Sequence, residues 1–218
     1  MNQNIITVSP KIYHITHINN LPAMIECGKI WSDAKRIELG LDYTGIGMNT
    51  IKERRLNQIE INCHAGLKVG QFTPFYFCPR SVMLYIIYAR NHPDLAYIGG
   101  QEPIVHLEFD VQNVVNWATQ NNRNWAFSDR NAAASIASFY NNLQDLDKIN
   151  WDAVKSRDFT NNQIKEGKQA EFLIQDYMPL ALIEKIGIIN SDMYQQVLKI
   201  INGSSITPQI AIEKNWYF

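Results

Sequence analysis

Residues 12–17 read I-Y-H-I-T-H, a short run rich in β-branched and aromatic side chains that is typical of a β-strand. Because side chains alternate between the two faces of a strand, His14 and Thr16 share one face and His17 points to the other. The two histidines therefore cannot easily chelate one metal, and no carboxylate or cysteine stands nearby at a ligand spacing. A buried core histidine and a histidine that contacts a ligand both stay open as interpretations.

The length and composition indicate one globular domain over residues 1–218. The chain is 46% hydrophobic and 11% aromatic, which is enough to bury a substantial core. It has no apolar run of about 18 residues, and MNQNIITVSP at the N-terminus lacks the pattern of a secretion signal. We therefore expect a cytoplasmic protein without a membrane partner.

The charge and the cysteines exclude several classes of site. Three cysteines without a CxxC spacing argue against a disulfide framework and against a zinc knuckle, so we predict no metal site. The net charge of −1 gives no overall attraction to nucleic acid. Any site for a polyanion must come from a local cluster of Lys and Arg.

The remaining pattern predicts an α+β fold. Short runs rich in β-branched and aromatic residues predict strands, and segments with a helical period predict helices between them. The predicted strands are 11–16, 73–78, 103–109, 170–176 and 181–189. One predicted helix ends at Cys27, and two more span 49–57 and 81–90. Residues 111–168, rich in Asn, Gln, Asp and Ala, are expected to form a long excursion that ends just before a strand.

Three positions have both a structural and a functional interpretation. Glu171 begins an apolar strand after a polar segment, so its carboxylate is either solvated at a strand edge or desolvated for a purpose. Arg54 and Arg55 follow Glu53 on a predicted helix. They either form a solvated charged face or place guanidinium groups where they bind phosphate. Tyr76 lies in an aromatic run that is either core or a stacking surface.

Seven motifs, taken together in their order and spacing, resemble the DarT-type DNA ADP-ribosyltransferase toxins over nearly the whole chain. They are Y-H-I-T-H at 13–17, N-N-L at 19–21, G-K-I at 28–30, K-E-R-R at 52–55, P-F-Y-F-C-P-R-S at 74–81 with M-L-Y at 83–85, G-G-Q-E-P-I at 99–104, and A-E-F-L at 170–173. The resemblance implies an ADP-ribosyltransferase fold of the poly(ADP-ribose) polymerase type, with a split mixed β-core and surrounding helices.

The resemblance also implies NAD as the consumed co-substrate and assigns residues to it. Glu171 matches the family's catalytic glutamate, whose carboxylate stabilises the positive charge that develops on the ribose as nicotinamide leaves. Arg54 aligns with the family's essential arginine, between NAD and the acceptor base. The NAD-binding positions implied are His14, Ile15, Thr16, Ala23, Trp31, Arg54 and Tyr76.

The implied acceptor is a base of single-stranded DNA, thymine at N3, with guanine as an alternative. Residues 112–170 correspond to the loop that shapes the acceptor site, and the DNA-binding residues expected are Arg80, Trp125, Arg130, Trp151 and Arg157. The resemblance implies a macrodomain antitoxin as protein partner. Two other functions stay open, an NAD glycohydrolase and a non-catalytic module that binds single-stranded nucleic acid.

Overall fold

Residues 9–218, described by a computed structural model, form an eight-stranded mixed sheet with helices on both faces, and a separate two-stranded sheet. Residues 1–8, where the sequence predicts no secretion signal, lie outside the described residues. Among the helices of the described part, none is long and apolar enough to cross a membrane.

The elements are numbered in chain order. The strands are β1 (Lys11–His17), β2 (Lys29–Trp31), β3 (Phe72–Tyr76), β4 (Ile104–Asp110), β5 (Trp125–Ser128), β6 (Phe139–Tyr140), β7 (Glu171–Gln175), β8 (Tyr177–Pro179), β9 (Lys185–Ile188) and β10 (Gln209–Ile212). The helices are α1 (Leu21–Cys27), α2 (Asp33–Glu38), α3 (Asn49–Asn57), α4 (Val82–Ala89), α5 (Val111–Gln120), α6 (Trp151–Lys155), α7 (Asn162–Gly167) and α8 (Ser191–Ile201).

The large sheet is split in its middle. Its strand order is β10-β9-β4-β1-β3-β7-β5-β6, while β2 and β8 pair separately. β1 pairs with β4 over its whole length, but with β3 only where Tyr13 lies opposite Tyr76. One cause is visible in the sequence, because continued pairing would place Ile15 opposite Pro74, which has no N–H to donate. The two halves of the sheet therefore separate beyond Tyr13.

Apolar side chains cover both faces of the split sheet. Phe75, Phe109 and Phe172 are at most 1% exposed and belong to the larger core. A fully buried side chain of this size contributes roughly 1.5–3 kcal/mol. On the opposite face, Ile15 and Leu84 belong to a smaller core that fixes α4 against the sheet. The strands that flank the split are therefore held from both sides.

The predicted strands and helices appear with shifts of a few residues, with two corrections. The segment 181–189 is strand only as β9, because Leu180–Leu182 forms a 3₁₀ turn. The excursion expected over 111–168 is wrong in its first part, because this part contains α5 and then β5 and β6, which extend the main sheet. Asp110 caps α5 by accepting the N–H of Asn113 at 3.0 Å. The four residues of β5 are too few to show a period.

Candidate active site

A cavity of about 1070 Å³ lies where the sheet splits. β1, α1, β2, α2, β3 and the segment before α3 form its walls. The structure brings six of the residues that the resemblance assigned to NAD together in this cavity. They are His14, Ile15, Thr16, Ala23, Trp31 and Tyr76.

His14 has a fixed tautomer in this cavity. Its Nδ1 lies 3.0 Å from the carbonyl oxygen of Pro74. Since a carbonyl only accepts, Nδ1 carries the hydrogen and Nε2 is left as an acceptor. Burial lowers the pKa of His14. The ring is therefore neutral at physiological pH and offers one acceptor to a ligand.

Asn20 ties the covering segment of the cavity to β1. Its amide nitrogen donates to Thr16 Oγ1 at 2.9 Å and to the Thr44 carbonyl at 3.0 Å, and its amide oxygen accepts the Thr44 N–H at 2.7 Å. Asn20 is 7% exposed, so these bonds are shielded from water. The segment around Thr44 is thereby held over the cavity.

The opposite wall carries positive charge and donors without acceptors. The guanidinium carbon of Arg36 and Nζ of Lys52 lie 3.8 Å and 4.4 Å from the centroid of the Tyr43 ring. Asp33 lies 3.8 Å from Arg36 and 4.0 Å from Lys52, and burial lowers the pKa of Lys52. Within residues 9–218, Arg36 Nε and Trp31 Nε1 are buried and have no acceptor. Two cations and two unused donors fit a ligand with a diphosphate, as NAD has.

Glu171 is buried at the start of β7, 2% exposed, and paired in register with Tyr76 of the cavity. Arg55 Nη1 donates to both of its carboxylate oxygens, at 3.1 Å and 2.9 Å. The Ala132 N–H donates to Oε1 at 2.9 Å. Burial raises the pKa of Tyr76, and the negative charge of Glu171 raises it further. The site thus contains a desolvated carboxylate that two donors hold in one orientation.

The two neighbouring arginines of α3 lie in different surroundings. Arg54 is exposed and donates through Nη2 to the Ala133 carbonyl at 3.0 Å, so the structure does not bring it to Glu171. Arg55, to which the resemblance assigned no role, is the residue at the carboxylate, with its side chain 11% exposed. Its Nη2 is buried and has no partner among residues 9–218. The available signal was Ile51, an apolar residue one turn earlier on the same helix face as Arg55.

Three of the five residues expected to bind DNA are engaged elsewhere. The ring of Trp125 stacks on Phe172, with centroids 5.8 Å apart. Trp151 Nε1 donates to the Leu146 carbonyl at 2.8 Å. Arg130 pairs with two carboxylates of its own surroundings. Their positions favour structural roles over contact with a nucleic acid.

Arg80 lies next to the segment that carries Arg157, because its guanidinium carbon is 5.8 Å from the ring centroid of Phe159. Burial lowers the pKa of Arg80, and the positive charge of Arg157 lowers it further. The guanidinium carbon of Arg80 also lies 4.2 Å from the ring centroid of Phe218, a residue 138 positions later in the sequence that was not among the expected site residues. Contacts between such distant parts of the chain leave no local signal in a sequence.

Over residues 9–218, no three His, Cys, Asp or Glu side chains are grouped so that they could hold a metal ion. The three cysteines are free thiols. The absence of a metal in the reaction is still a prediction.

The chain is similar to known proteins over nearly all of its length. Residues 13–218 match the family described as "ssDNA thymidine ADP-ribosyltransferase, DarT". A DNA ADP-ribosyl transferase of Thermus sp. (strain 2.9) is 35% identical over 210 residues, which cover 95% of each chain. A DNA ADP-ribosyl transferase–DNA ADP-ribosyl glycohydrolase fusion protein of Thermosipho africanus is 24% identical over 200 residues, or 90% of this chain and 47% of that protein.

Solved structures of DarT proteins are also similar to this chain over nearly all of its length. Thermus sp. 2.9 DarT in complex with ADP-ribosylated single-stranded DNA superposes with a TM-score of 0.86 at 34% identity, covering 96% of this chain and 97% of that one. The same enzyme in complex with NAD⁺ gives a TM-score of 0.78 at 32% identity, with 96% and 98% covered. The predicted ADP-ribosyltransferase fold is confirmed. The chain belongs to the DarT family and is a DarT-type, NAD-dependent DNA ADP-ribosyltransferase.

Proposed function

We propose that this enzyme cleaves the bond between nicotinamide and ribose in NAD and transfers ADP-ribose to N3 of thymine in single-stranded DNA. The observation that carries the proposal is the buried Glu171 carboxylate, held by Arg55 and paired in register with Tyr76 of the split-sheet cavity. The description of the family names thymidine in single-stranded DNA, and the Thermus relative binds NAD⁺ and ADP-ribosylated single-stranded DNA.

The cavity residues divide the binding of NAD between them. His14 Nε2 and the β1 backbone from His14 to Thr16 accept and donate hydrogen bonds at the nicotinamide and its ribose. Tyr76 packs against the nicotinamide ring, and Ala23 and Trp31 complete the wall. Arg36 and Lys52 balance the negative charge of the diphosphate.

Glu171 acts when charge develops on the ribose. As the glycosidic bond breaks, its electron pair leaves with nicotinamide, and the ribose becomes positively charged at C1′. A carboxylate at the 2′-hydroxyl stabilises this state more than it stabilises bound NAD. The N3 of thymine then forms the new bond to C1′, and its proton is released. Because Glu171 already has a fixed orientation, little reorganisation is needed during the reaction.

Arg55, rather than Arg54, takes the role of the essential arginine. Its Nη1 orients Glu171, and its buried Nη2 is left to donate to an oxygen of the substrate. A guanidinium stays protonated at neutral pH, so it acts as a donor and as a source of positive field, not as a base. That field favours thymine that has lost the N3 proton. Arg54 supports the segment after β5 through Ala133.

The biological role follows from the product. ADP-ribose on N3 of thymine blocks Watson–Crick pairing, so the enzyme acts as a toxin in the cytoplasm. Its partner is a macrodomain antitoxin that removes the modification. The Thermosipho relative, in which transferase and DNA ADP-ribosyl glycohydrolase are fused, supports this pairing.

Intact mass measurement of oligonucleotides incubated with NAD tests the acceptor. Four single strands that each lack one of the four bases, and one strand with N3-methylthymine as its sole thymine, form the panel. The proposal predicts that strands lacking thymine or carrying N3-methylthymine gain no ADP-ribose, while the other three do. Loss of modification only in the strand without guanine would favour the guanine alternative. Nicotinamide release without modified DNA would favour an NAD glycohydrolase.

Growth of a bacterial host tests the toxin role. Expression of the chain should arrest growth, and co-expression of a macrodomain hydrolase that acts on ADP-ribosylated DNA should restore it. Glu171→Gln should be harmless without the hydrolase. If Glu171→Gln proves as toxic as the parent, the toxicity comes from DNA binding. That result would support a non-catalytic module that binds single-stranded nucleic acid.

A further inference from the structure

The C-terminus builds an aromatic cluster from three distant parts of the chain. Tyr85 stacks on Phe159 with centroids 5.0 Å apart, and Phe159 meets Phe218 edge to face at 4.8 Å. Tyr88 stacks on Phe218 at 5.6 Å and an interplanar angle of 22°. Tyr88 is 53% exposed, which is much for a ring of this size. The cluster therefore ends in a ring with surface open to solvent.

Two guanidinium groups lie beside this cluster without a counter-charge. The guanidinium carbon of Arg80 lies 4.2 Å from the ring centroid of Phe218 and 5.8 Å from that of Phe159, which follows Arg157 by two residues. Within residues 9–218 no carboxylate lies at ion-pair distance from Arg80 or Arg157. Arg80 Nε is buried and has no acceptor there. Two neighbouring like charges and a buried unused donor indicate an anion that is absent from the protein itself.

The side chain of Lys168 holds the segment that carries Arg157 through two hydrogen bonds. Lys168 is 2% exposed, and its Nζ donates to the carbonyls of Val154 at 3.0 Å and of Ser156 at 2.8 Å. The same Nζ lies 5.0 Å from the ring centroid of Phe159. These two bonds from a buried side chain fix the backbone that leads into Arg157 without a ligand, which lowers the entropic cost of binding.

The cluster and the reaction centre share helix α4 and the segment that leads into β7. Helix α4 contributes Met83 to the wall of the NAD cavity and Tyr85 and Tyr88 to the cluster. Lys168 precedes Glu171 by only three residues. A strand whose acceptor base reaches Glu171 would thus have its flanking nucleotides near Arg80 and Tyr88.

We propose that Arg80 and Arg157 clamp a phosphate of the acceptor DNA strand next to the modified nucleotide, and that Tyr88 stacks on a neighbouring base. The proposal rests on the proposed function, because it assumes a single-stranded DNA acceptor. A guanidinium pair recognises phosphate through charge and hydrogen bonds, and an aromatic face accepts any base. The clamp holds the strand independently of its sequence, while the acceptor pocket selects the base.

The first experiment measures binding of a labelled single-stranded oligonucleotide by fluorescence anisotropy without NAD. Arg157→Gln should raise Kd about ten-fold and lower the slope of log Kd against log salt by about 0.7, the value expected for one lost phosphate contact on a single strand. Arg80→Gln should act in the same direction. The matched control is Lys199→Gln, which removes an exposed charge on α8, and should change Kd less than two-fold. NAD affinity, measured by calorimetry, should be unchanged in all three.

The second experiment tests the base contact. Tyr88→Leu should raise Kd roughly ten-fold, and Tyr88→Trp should keep the parent value, because an indole also stacks on bases. An abasic residue moved along the strand should remove the effect of Tyr88→Leu at one position. Parent-like binding by both Arg157→Gln and Tyr88→Leu would overturn the proposal, as would an equal loss of NAD affinity.

Binding and modification of the oligonucleotide by the unsubstituted protein, the parent, distinguish a failure of this proposal from a failure of the proposed function. If the parent binds the oligonucleotide and these variants weaken binding, but NAD produces no modified DNA, the proposed function fails while the clamp stands. If the parent modifies the strand and the variants bind and modify it equally well, the clamp is wrong and the proposed function stands.

Discussion

Arg55 Nη1 lies 2.9 Å and 3.1 Å from the two carboxylate oxygens of Glu171, and both side chains are nearly inaccessible to solvent, at 11% and 3%. The Glu171 charge raises the pKa of Arg55 against the effect of burial, which lowers it. Removing one member of such a buried pair typically costs roughly 3–5 kcal/mol, because the other charge is left without a partner. Substitutions here must therefore keep a polar group of similar size, so Gln is the informative replacement at both positions.

The two arginines of α3 should behave differently. Arg55→Gln should lower the rate of ADP-ribose transfer about 100-fold or more, because it removes both the orientation of Glu171 and the donor at Nη2. Arg54→Gln should stay within a few-fold of the parent, since the one side-chain hydrogen bond of Arg54 within residues 9–218 goes to the Ala133 carbonyl. Initial rates with a saturating single strand check this. Equal losses in both variants would show that the guanidinium at Glu171 has no special role.

His14 should contribute to NAD binding through its neutral ring. His14→Ala should raise the KM for NAD about ten-fold, because Nε2 no longer accepts a hydrogen bond and the wall of the cavity recedes. His17→Asn is the control from the opposite face of β1, and it keeps an acceptor for the Asn19 N–H that His17 Nδ1 binds at 3.1 Å. Titration calorimetry measures the affinity of each variant for NAD, which should fall in His14→Ala and stay at the parent value in His17→Asn. An unchanged affinity in His14→Ala would leave His14 as a core residue.

The strand expected to hold NAD and the residues around it were predictable, because their pattern is local. Y-H-I-T-H shows both the β-branched and aromatic residues that are typical of a strand and the resemblance to the family, and six assigned residues meet in one cavity. Residues 54 and 55 were harder to tell apart, because Ile51, on the same helix face as Arg55, is a weak signal by itself. Helix α3, N-T-I-K-E-R-R-L-N, is polar around most of its surface, so its sequence shows no clear buried face. Which guanidinium reaches Glu171 depends on how the helix packs.

The acceptor side was less predictable, because its contacts join distant residues. Trp125 and Trp151 look available for stacking in the sequence, yet Phe172 and the Leu146 carbonyl occupy them. Phe218 lies at the end of the chain and meets Tyr85 only through the fold. Composition shows that the aromatic residues are present, but tertiary packing decides which of them face solvent.

The stability of the protein should fall in mild acid because of His106. Its ring is fully buried, donates from Nε2 to the Pro79 carbonyl at 3.0 Å and packs edge-on against Tyr217. Burial lowers its pKa to about 4, below the unfolded value of 6.5. The unfolded chain therefore binds a proton first, and stability present above pH 6.5 is lost as the pH falls toward 4.

Urea unfolding at pH 7 and pH 4.5 measures this effect. His106→Gln keeps a donor without a titrating ring, so its free energy of unfolding should fall by about 2–3 kcal/mol less than that of the parent between the two pH values. His92→Gln, at a half-buried ring that only accepts the Asp94 N–H at 3.2 Å within residues 9–218, should follow the parent. Parallel pH profiles of the parent and His106→Gln would show that another group controls acid sensitivity.

Single strands should be far better acceptors than duplexes. A base inside a duplex must be flipped before its N3 can reach the cavity, and pairing also hides N3. Binding should weaken steeply with salt, because the net charge is −1 and attraction depends on a local cluster of cations. Mass measurement of one oligonucleotide, alone and annealed to its complement, compares the two. Similar modification of both forms would be inconsistent with a single-strand site.

The most direct measurement is the intact mass of a single-stranded oligonucleotide with one thymine, after incubation with NAD and either the parent or Glu171→Gln. The account predicts that the parent adds the mass of one ADP-ribose, located at the thymine. Glu171→Gln, shown to be folded by its melting temperature and to bind NAD by calorimetry, should be slower by about 100-fold or more. Near-parent transfer by folded Glu171→Gln would contradict the account, and so would nicotinamide release by the parent that leaves the oligonucleotide unmodified.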